Sequence, residues 1–287
     1  MARYSVMTSS PSSSTSPDSE GGSPPRPRPR PRLGVFKLAS CDGCQLTLLD
    51  CEDELLELAA AVEIVHFAEL SSQLAPRGPF DLVLVEGSVS TPEQALMIRD
   101  IRASTRRLVT LGACATAGGI QSLRNFADHR EYLRIVYATP DYIETLSTAT
   151  PVSHHVPVDF ELRGCPIDRH QLLEVISAFL VGRKPNIADE AVCMECKRRQ
   201  VVCVTVARGE PCLGPVTHAG CGALCPAFSR GCYGCFGARE QPNTVAVASL
   251  MRSLGRGDRE VAHAFALFTA SDEAFAAERK RHDGQPG

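Results

Sequence analysis

Residues 80–114, FDLVLVEGSVSTPEQALMIRDIRASTRRLVTLGAC, decide the fold. Phe80–Val85 is apolar but for one position and stops at Glu86-Gly87-Ser88, the pattern of a buried strand. Thr91-Pro92-Glu93 supplies a cap residue and a proline at the first helical position, so a helix is expected to about Ala103. Arg107–Gly112 is a strand again. Strand, crossover helix and strand in this compass make a parallel pair.

The alternation continues outward. Leu33–Ala39 reads as a short buried strand, and Glu63–Phe67 as another. Between them, Leu48, Leu49, Leu55, Leu56 and Ala59 recur at helical spacing and predict one helix over Gln45–Ala60. His155–Leu162 is a fifth strand, placed at an edge or made irregular by Pro157. Asp168–Val181 is a helix stopped by Gly182. The expected class is α/β, a parallel sheet covered by helices on both faces.

Thirteen cysteines fall on this frame in a telling way. Cys41 and Cys44 follow the first strand, Cys114 the fourth and Cys165 the fifth. Ligands of open parallel sheets sit outside the carboxyl ends of the strands, so four distant cysteines are delivered to one edge. Either Cys114 or Cys165 alone would read as a buried core thiol; the four together read as a ligand set. Gly43, Gly112, Gly118, Gly119 and Gly164 beside them permit tight turns and close backbone approach. Eight more, Cys193, Cys196, Cys203, Cys212, Cys221, Cys225, Cys232 and Cys235, crowd a stretch without apolar periodicity. Metal binding is the usual substitute for a core in such a segment. Thiolates in fours select zinc or iron–sulfur clusters. Two zinc sites remain an alternative for the eight, while Cys225-Pro226 favours iron–sulfur, because proline follows a ligating cysteine in ferredoxin runs. Cys51, inside a helix, is read as a core thiol. His218 is read as an exposed loop histidine, with a hydrogen bond to a cluster sulfur as the alternative. Glu86 either caps a turn or tunes the strand-end site.

Composition narrows the class. The chain has 287 residues, 44% of them apolar, and a formal charge of −3. Residues 1–32 hold five arginines against Asp18 and Glu20, and the rest mixes both signs, with no nucleic-acid footprint. Neither a signal-peptide core nor a run long enough to span a membrane is present, so the thiols are expected to be reduced in the cytoplasm rather than paired in disulfides. Four regions are expected: a disordered Ser/Pro/Arg tail over 1–32, a sheet domain over 33–185, a cysteine-rich domain over 186–240 and a helical segment over 241–287. In that last segment Thr244–Leu254 and Arg259–Phe268 are weakly amphipathic and the end is expected to fray.

Five motifs then carry a resemblance. They are Ser40-Cys41-Asp42-Gly43-Cys44-Gln45, Val85-Glu86-Gly87-Ser88, Gly112-Ala113-Cys114-Ala115 with Gly118-Gly119-Ile120-Gln121-Ser122, Gly164-Cys165-Pro166, and the block from Gly209 through Cys221 and Cys225-Pro226 to Cys232-x2-Cys235. Over about residues 33–250 the chain resembles the small subunit of cytosolic nickel–iron hydrogenases, and most of all the delta subunit of the bidirectional NADP-linked type, the sulfhydrogenases. Where the family often has a second proline after Cys165-Pro166, this chain has Ile167. The resemblance implies a flavodoxin-like domain followed by a small irregular cluster domain, with three 4Fe–4S clusters. It implies a proximal cluster on Cys41, Cys44, Cys114 and Cys165, facing a nickel–iron large subunit. Taken in order, the other eight divide into a distal set, Cys193, Cys196, Cys203 and Cys212, and a medial set, Cys221, Cys225, Cys232 and Cys235; spacing leaves an exchange of Cys212 and Cys221 open. The implied partners are the large subunit, a flavin/NAD(P)-binding diaphorase-type subunit and an additional iron–sulfur subunit, with no nucleic acid and no membrane. The nickel–iron site needs two further C-x2-C pairs, and every such pair here is already used. The chain is thus expected to move electrons and to supply no catalytic residue. Alternatives are the small subunit of a hydrogenase linked to coenzyme F420 or heterodisulfide reductase, and a quinone-reductase-type iron–sulfur subunit.

Overall fold

A computed structural model of the chain describes residues 29–70 and 78–284. Most of the expected 1–32 tail therefore lies outside the described residues; its last residue, Arg32, already opens the sheet. Five strands, β1 (Arg32–Lys37), β2 (Glu63–Phe67), β3 (Phe80–Glu86), β4 (Thr105–Leu111) and β5 (Phe160–Leu162), form one sheet in the order β2-β1-β3-β4-β5. Every pairing is parallel. This is the flavodoxin-like doubly wound order.

Alternation along the strands explains both covered faces. Leu33, Val35, Leu82, Leu84, Val109 and Leu111 point to one side. There they meet Leu48 of α1 (Gly43–Leu49), Leu58 of α2 (Asp53–Ala61) and Leu172, Val175 and Ile176 of α6 (Arg169–Leu180). Phe36, Val83, Val85 and Leu108 point to the other side, against Ile98 and Ile101 of α3 (Pro92–Ala103) and against Val152 and Val156. The expected start of α3 is present in full: Thr91 accepts from the Gln94 amide and Gln94 reaches back to the Thr91 amide, a capping box. Two further helices follow β4, the short α4 (Gly112–Ala117) and α5 (His129–Val136).

Three expectations change. The single helix over Gln45–Ala60 is two, broken at Asp50–Glu52, where Glu52 takes φ 42°. Leu48 and Leu58 both reach the same core; on one straight helix they would lie roughly 80° apart around the axis, and the break brings them together. The fifth strand keeps only Phe160–Leu162, because Val156 and Val158 turn into the α3-side core instead of pairing. The carboxyl segment is helical as far as His282, and residues 285–287 of the end expected to fray lie outside the described residues. After α7 (Val192–Arg198), α8 (Val204–Arg208) and α9 (Leu224–Ala227) come α10 (Thr244–Ser253), α11 (Asp258–Ala264) and α12 (Glu273–His282). Phe275 of α12 packs edge-on against Phe265 at 5.4 Å. Leu213, Val216 and Ala238 of the cysteine-rich stretch join the same core, so that stretch shares a core the sequence did not suggest.

Candidate metal centres

The carboxyl ends of β1, β4 and β5 bring four thiols to one place. Cys41 and Cys44 flank the start of α1, Cys114 lies in α4 directly after β4, and Cys165 follows β5. Cys44 is buried, Cys114 half-buried, and Cys41 and Cys165 exposed. Gly112, at φ +79°, passes so close that a Cβ there would lie 2.4 Å from the Cys44 sulfur. A Cβ on Gly119 would lie 2.5 Å from the Cys114 sulfur. Burial, then Glu86, pushes the Cys44 thiol well up; burial, then Cys165, pushes Cys114 up to about 11; burial, then Cys41, raises Cys165. Cys44, Cys114 and Cys165 are thus each raised in part by a neighbouring thiol. The Ile167 backbone and the Gln121 side chain, whose Nε2 donates to the Ala39 carbonyl at 3.1 Å, lie beside the Cys44 and Cys114 sulfurs and partly offset these rises. Gln121 was legible only as a letter of the Gly118–Ser122 motif.

Glu86, at the end of β3, is 2% exposed. Its carboxylate accepts from the Cys44 amide at 3.1 Å, the Gln45 amide at 3.3 Å and the Gln45 side chain at 3.0 Å. Burial raises its carboxyl. Of its two expected roles, capping is the one these hydrogen bonds draw: it fixes the turn that presents Cys44.

The remaining eight cysteines gather in two neighbouring groups. Cys193 and Cys196 ride on α7, Cys203 precedes α8, and Cys212 follows it. Burial pushes Cys193 up to about 11, with Cys212, Cys196 and Cys203 as the next causes. A Cβ on Gly214 would stand 3.2 Å from the Cys212 sulfur and 3.6 Å from that of Cys193, so a glycine keeps this space clear. Cys221, Cys225, Cys232 and Cys235 line a cavity of about 340 Å³, on whose wall Cys165, Pro166 and Phe236 also lie. That is roughly ten times the share of one water in the liquid. Burial pushes Cys235 up to about 12, followed by Cys221 and Cys165.

The two later groups touch through an N–H···S bond, the Cys232 amide donating to the Cys212 sulfur at 3.2 Å. Cys165 lies close enough to Cys235 to be among the causes that raise it. Four thiols line a cavity together with Cys165, glycines lie against the sulfurs of Cys44, Cys114 and Cys212, and amides donate to the sulfurs of Cys212 and Cys232. That donor set fits iron–sulfur clusters, whose ligands are thiolates and whose sulfurs accept such bonds.

Two other residues are settled by their surroundings. Cys51 is 1% exposed and donates to the Thr47 carbonyl at 3.3 Å, as a core thiol. His218 is no exposed loop residue: its side chain is largely buried, 3.5 Å from Asp189, and burial pushes its pKa down to about 4. The strand-like bridges of Thr217 to Ala238 and of His218 to Ala191 draw it inward, which spacing could not reveal.

Residues 41–179 match the family model of the NADH ubiquinone oxidoreductase 20 kDa subunit. The chain is 37% identical to sulfhydrogenase 2 subunit delta of Pyrococcus furiosus over 83% of its own length and 98% of that protein's. It is 30% identical to a subunit of the F420-non-reducing vhu hydrogenase of Methanocaldococcus jannaschii, over 84% and 95%. Among solved structures, a chain of the NAD+-reducing NiFe-hydrogenase in its H2-reduced state superposes with TM-score 0.51 and 28% identity, covering 55% of this chain and 96% of that one.

Proposed function

Because this chain belongs to the hydrogenase small-subunit family, we propose that it relays electrons through three 4Fe–4S clusters between a nickel–iron large subunit and a flavin/NAD(P) partner. The observation that carries this reading is the unbroken succession of thiol groups. It runs from the sheet edge, past the cavity that Cys165 shares with Cys221, Cys225, Cys232 and Cys235, to the exposed Cys203. We assign Cys41, Cys44, Cys114 and Cys165 to the proximal cluster, Cys221, Cys225, Cys232 and Cys235 to the medial one, and Cys193, Cys196, Cys203 and Cys212 to the distal one. The position of Cys212 beside Cys193 over Gly214 supports this division over an exchange with Cys221. A bound 4Fe–4S cluster takes up and releases single electrons.

The chain's own residues hold, insulate and orient. Glycines 112, 119 and 214 leave room beside the sulfurs, amides of Gly214, Cys232 and Gly234 donate to sulfur, and Glu86 fixes the first turn. Both ends of the relay offer apolar surface. Ile120, Leu123, Phe126, Tyr132, Ile135 and Tyr142, which follow Cys114 in the chain, are exposed and suit a large-subunit interface. Val202 and Val206 flank Cys203 and are exposed too, which suits the partner that takes the electron away. The similarity to the F420-non-reducing hydrogenase supports a second reading, with a partner other than a nicotinamide-reducing one at that exit. The cytoplasm, where thiols stay reduced, is the compartment this chemistry needs. Cys114→Ser in the assembled complex is the test: one cluster's iron should be lost and H2-dependent reduction of NADP should cease. Full activity with unchanged iron would overturn the reading, and intact H2 oxidation that reduces other acceptors but never NADP would favour the second.

A further inference from the structure

The loop carrying Cys221 is built from backbone that cannot hold itself. Gly220 is at φ +146°, Gly222 at +64° and Ala223 at +54°, so three of its four residues lie where L side chains rarely go. A single carboxylate from another element grips it. Glu195 sits on α7 between Cys193 and Cys196, and its Oε1 accepts from the Gly220 amide at 2.9 Å and the Gly222 amide at 3.1 Å. Its Oε2 accepts from the Ala223 amide at 3.1 Å and lies 3.8 Å from the Cys221 sulfur. One helical turn on, Arg199 donates to the Gly222 carbonyl, so α7 holds both polarities of the loop. Successive amides turned toward one anion form a nest, here closed by a side chain of the protein itself.

We propose that Glu195 is the positioning residue that keeps Cys221 in the medial set. The choice is a real one, because Cys221 also lies close enough to Cys196 of the neighbouring set to raise its pKa. With the loop pinned, Cys221 lines the cavity shared with Cys225, Cys232 and Cys235. Without the pin, the two glycines give the loop wide freedom, and the medial site keeps three thiolates whose positions are set elsewhere. Cys225 starts in a helical turn, and Cys232 is tied through its carbonyl to the Leu213 amide at 3.1 Å. Carboxylate from the distal helix and cysteine of the medial loop thus make one unit, and this pairing rests on the three-cluster reading above.

A four-iron cluster that loses its fourth thiolate tends to release that iron, leaving a three-iron cluster that is paramagnetic when oxidised, whereas an oxidised four-iron cluster is silent. The experiment is electron paramagnetic resonance with iron analysis on the anaerobically purified complex carrying Glu195→Ala or Glu195→Gln. Spectra are recorded after anoxic oxidation with thionine, which takes the one electron that turns the three-iron core left by Fe2+ loss into its paramagnetic form. Glu195→Ala should show the three-iron signal and lose one iron per chain. Glu195→Gln, whose oxygen can still accept from Gly220 and Gly222 while its nitrogen faces the Ala223 amide, should show it more weakly. If Glu195→Ala does not accumulate, the isosteric Glu195→Gln carries the test by itself. Both variants retaining the wild-type iron content with no such signal would overturn the proposal. A wild-type complex without a medial cluster would instead overturn the reading it rests on.

Discussion

Gly112 shows what a single residue contributes here. Its missing side chain leaves the space beside Cys44, and its φ of +79° is strained for any other residue. Gly112→Ala should therefore remove the proximal cluster, seen as lost iron, while circular dichroism still reports the sheet. Gly182→Ala is the matched control: φ is +75°, but nothing lies within 4 Å of the added methyl, so a cost of about 1 kcal/mol and full iron content are expected. His218 carries a pH signature. Folding holds its pKa near about 4, below the ordinary value of about 6.5, so the fold favours the neutral ring. That preference is complete above the unfolded value and is lost as pH falls toward 4, because the unfolded chain takes up the proton first. Between pH ~7.5 and ~5.5 the cluster-loaded protein should lose about 1 kcal/mol from this group. Denaturant unfolding at the two pH values should show the loss shrinking in His218→Gln.

Among the elements, α12 links the sheet domain and the cysteine-rich stretch. Asp272 caps it, accepts from the Ala238 amide at 3.0 Å and pairs with Arg163 at 3.4 Å. The fully buried Phe275 then seats the helix on Phe265, and Glu278 accepts from Thr244 of α10 at 2.9 Å. Phe275→Ala should cost about 3–5 kcal/mol, in the range of buried aromatic truncations. Limited proteolysis of that variant should cut first between 240 and 284. Cleavage beginning in the strands would show that α12 is not what it seats.

At the scale of the molecule, two halves differ in what holds them. The sheet has two extensive apolar cores, whereas among the described residues the cysteine-rich stretch lends Leu213 and Val216 to the carboxyl-terminal core and otherwise buries Val192 and Ala223 against thiols around Cys232. Chelation of metal under reducing conditions should make residues 192–235 protease-sensitive while the strands stay protected, because ligand binding there is folding free energy. Equal resistance with and without metal would contradict this. The exposed apolar surface after Cys114 is the other large-scale feature. Ile135, on a helix with no buried residue, is 79% exposed, so Ile135→Asp should leave the subunit folded yet weaken its association with the large subunit, read by co-purification.

The alternation of short apolar runs with capped helices determined a parallel α/β sheet, and the cysteine positions determined that four thiols would meet at its carboxyl edge. Both follow from local pattern: period-two burial, Thr91-Pro92 capping, and the rule that strand ends share one edge. The break at Asp50–Glu52, the shortened fifth strand and the seating of α12 were settled only in three dimensions, since each depends on which distant side chain fills the space. Cys212 and Cys221 make the same point for the site. Both follow the preceding cysteine after eight intervening residues, so spacing cannot separate them. Gly214 under Cys193 and the Glu195 carboxylate over the 220–223 loop support the division proposed above, and those contacts exist only once α7 is packed between the two.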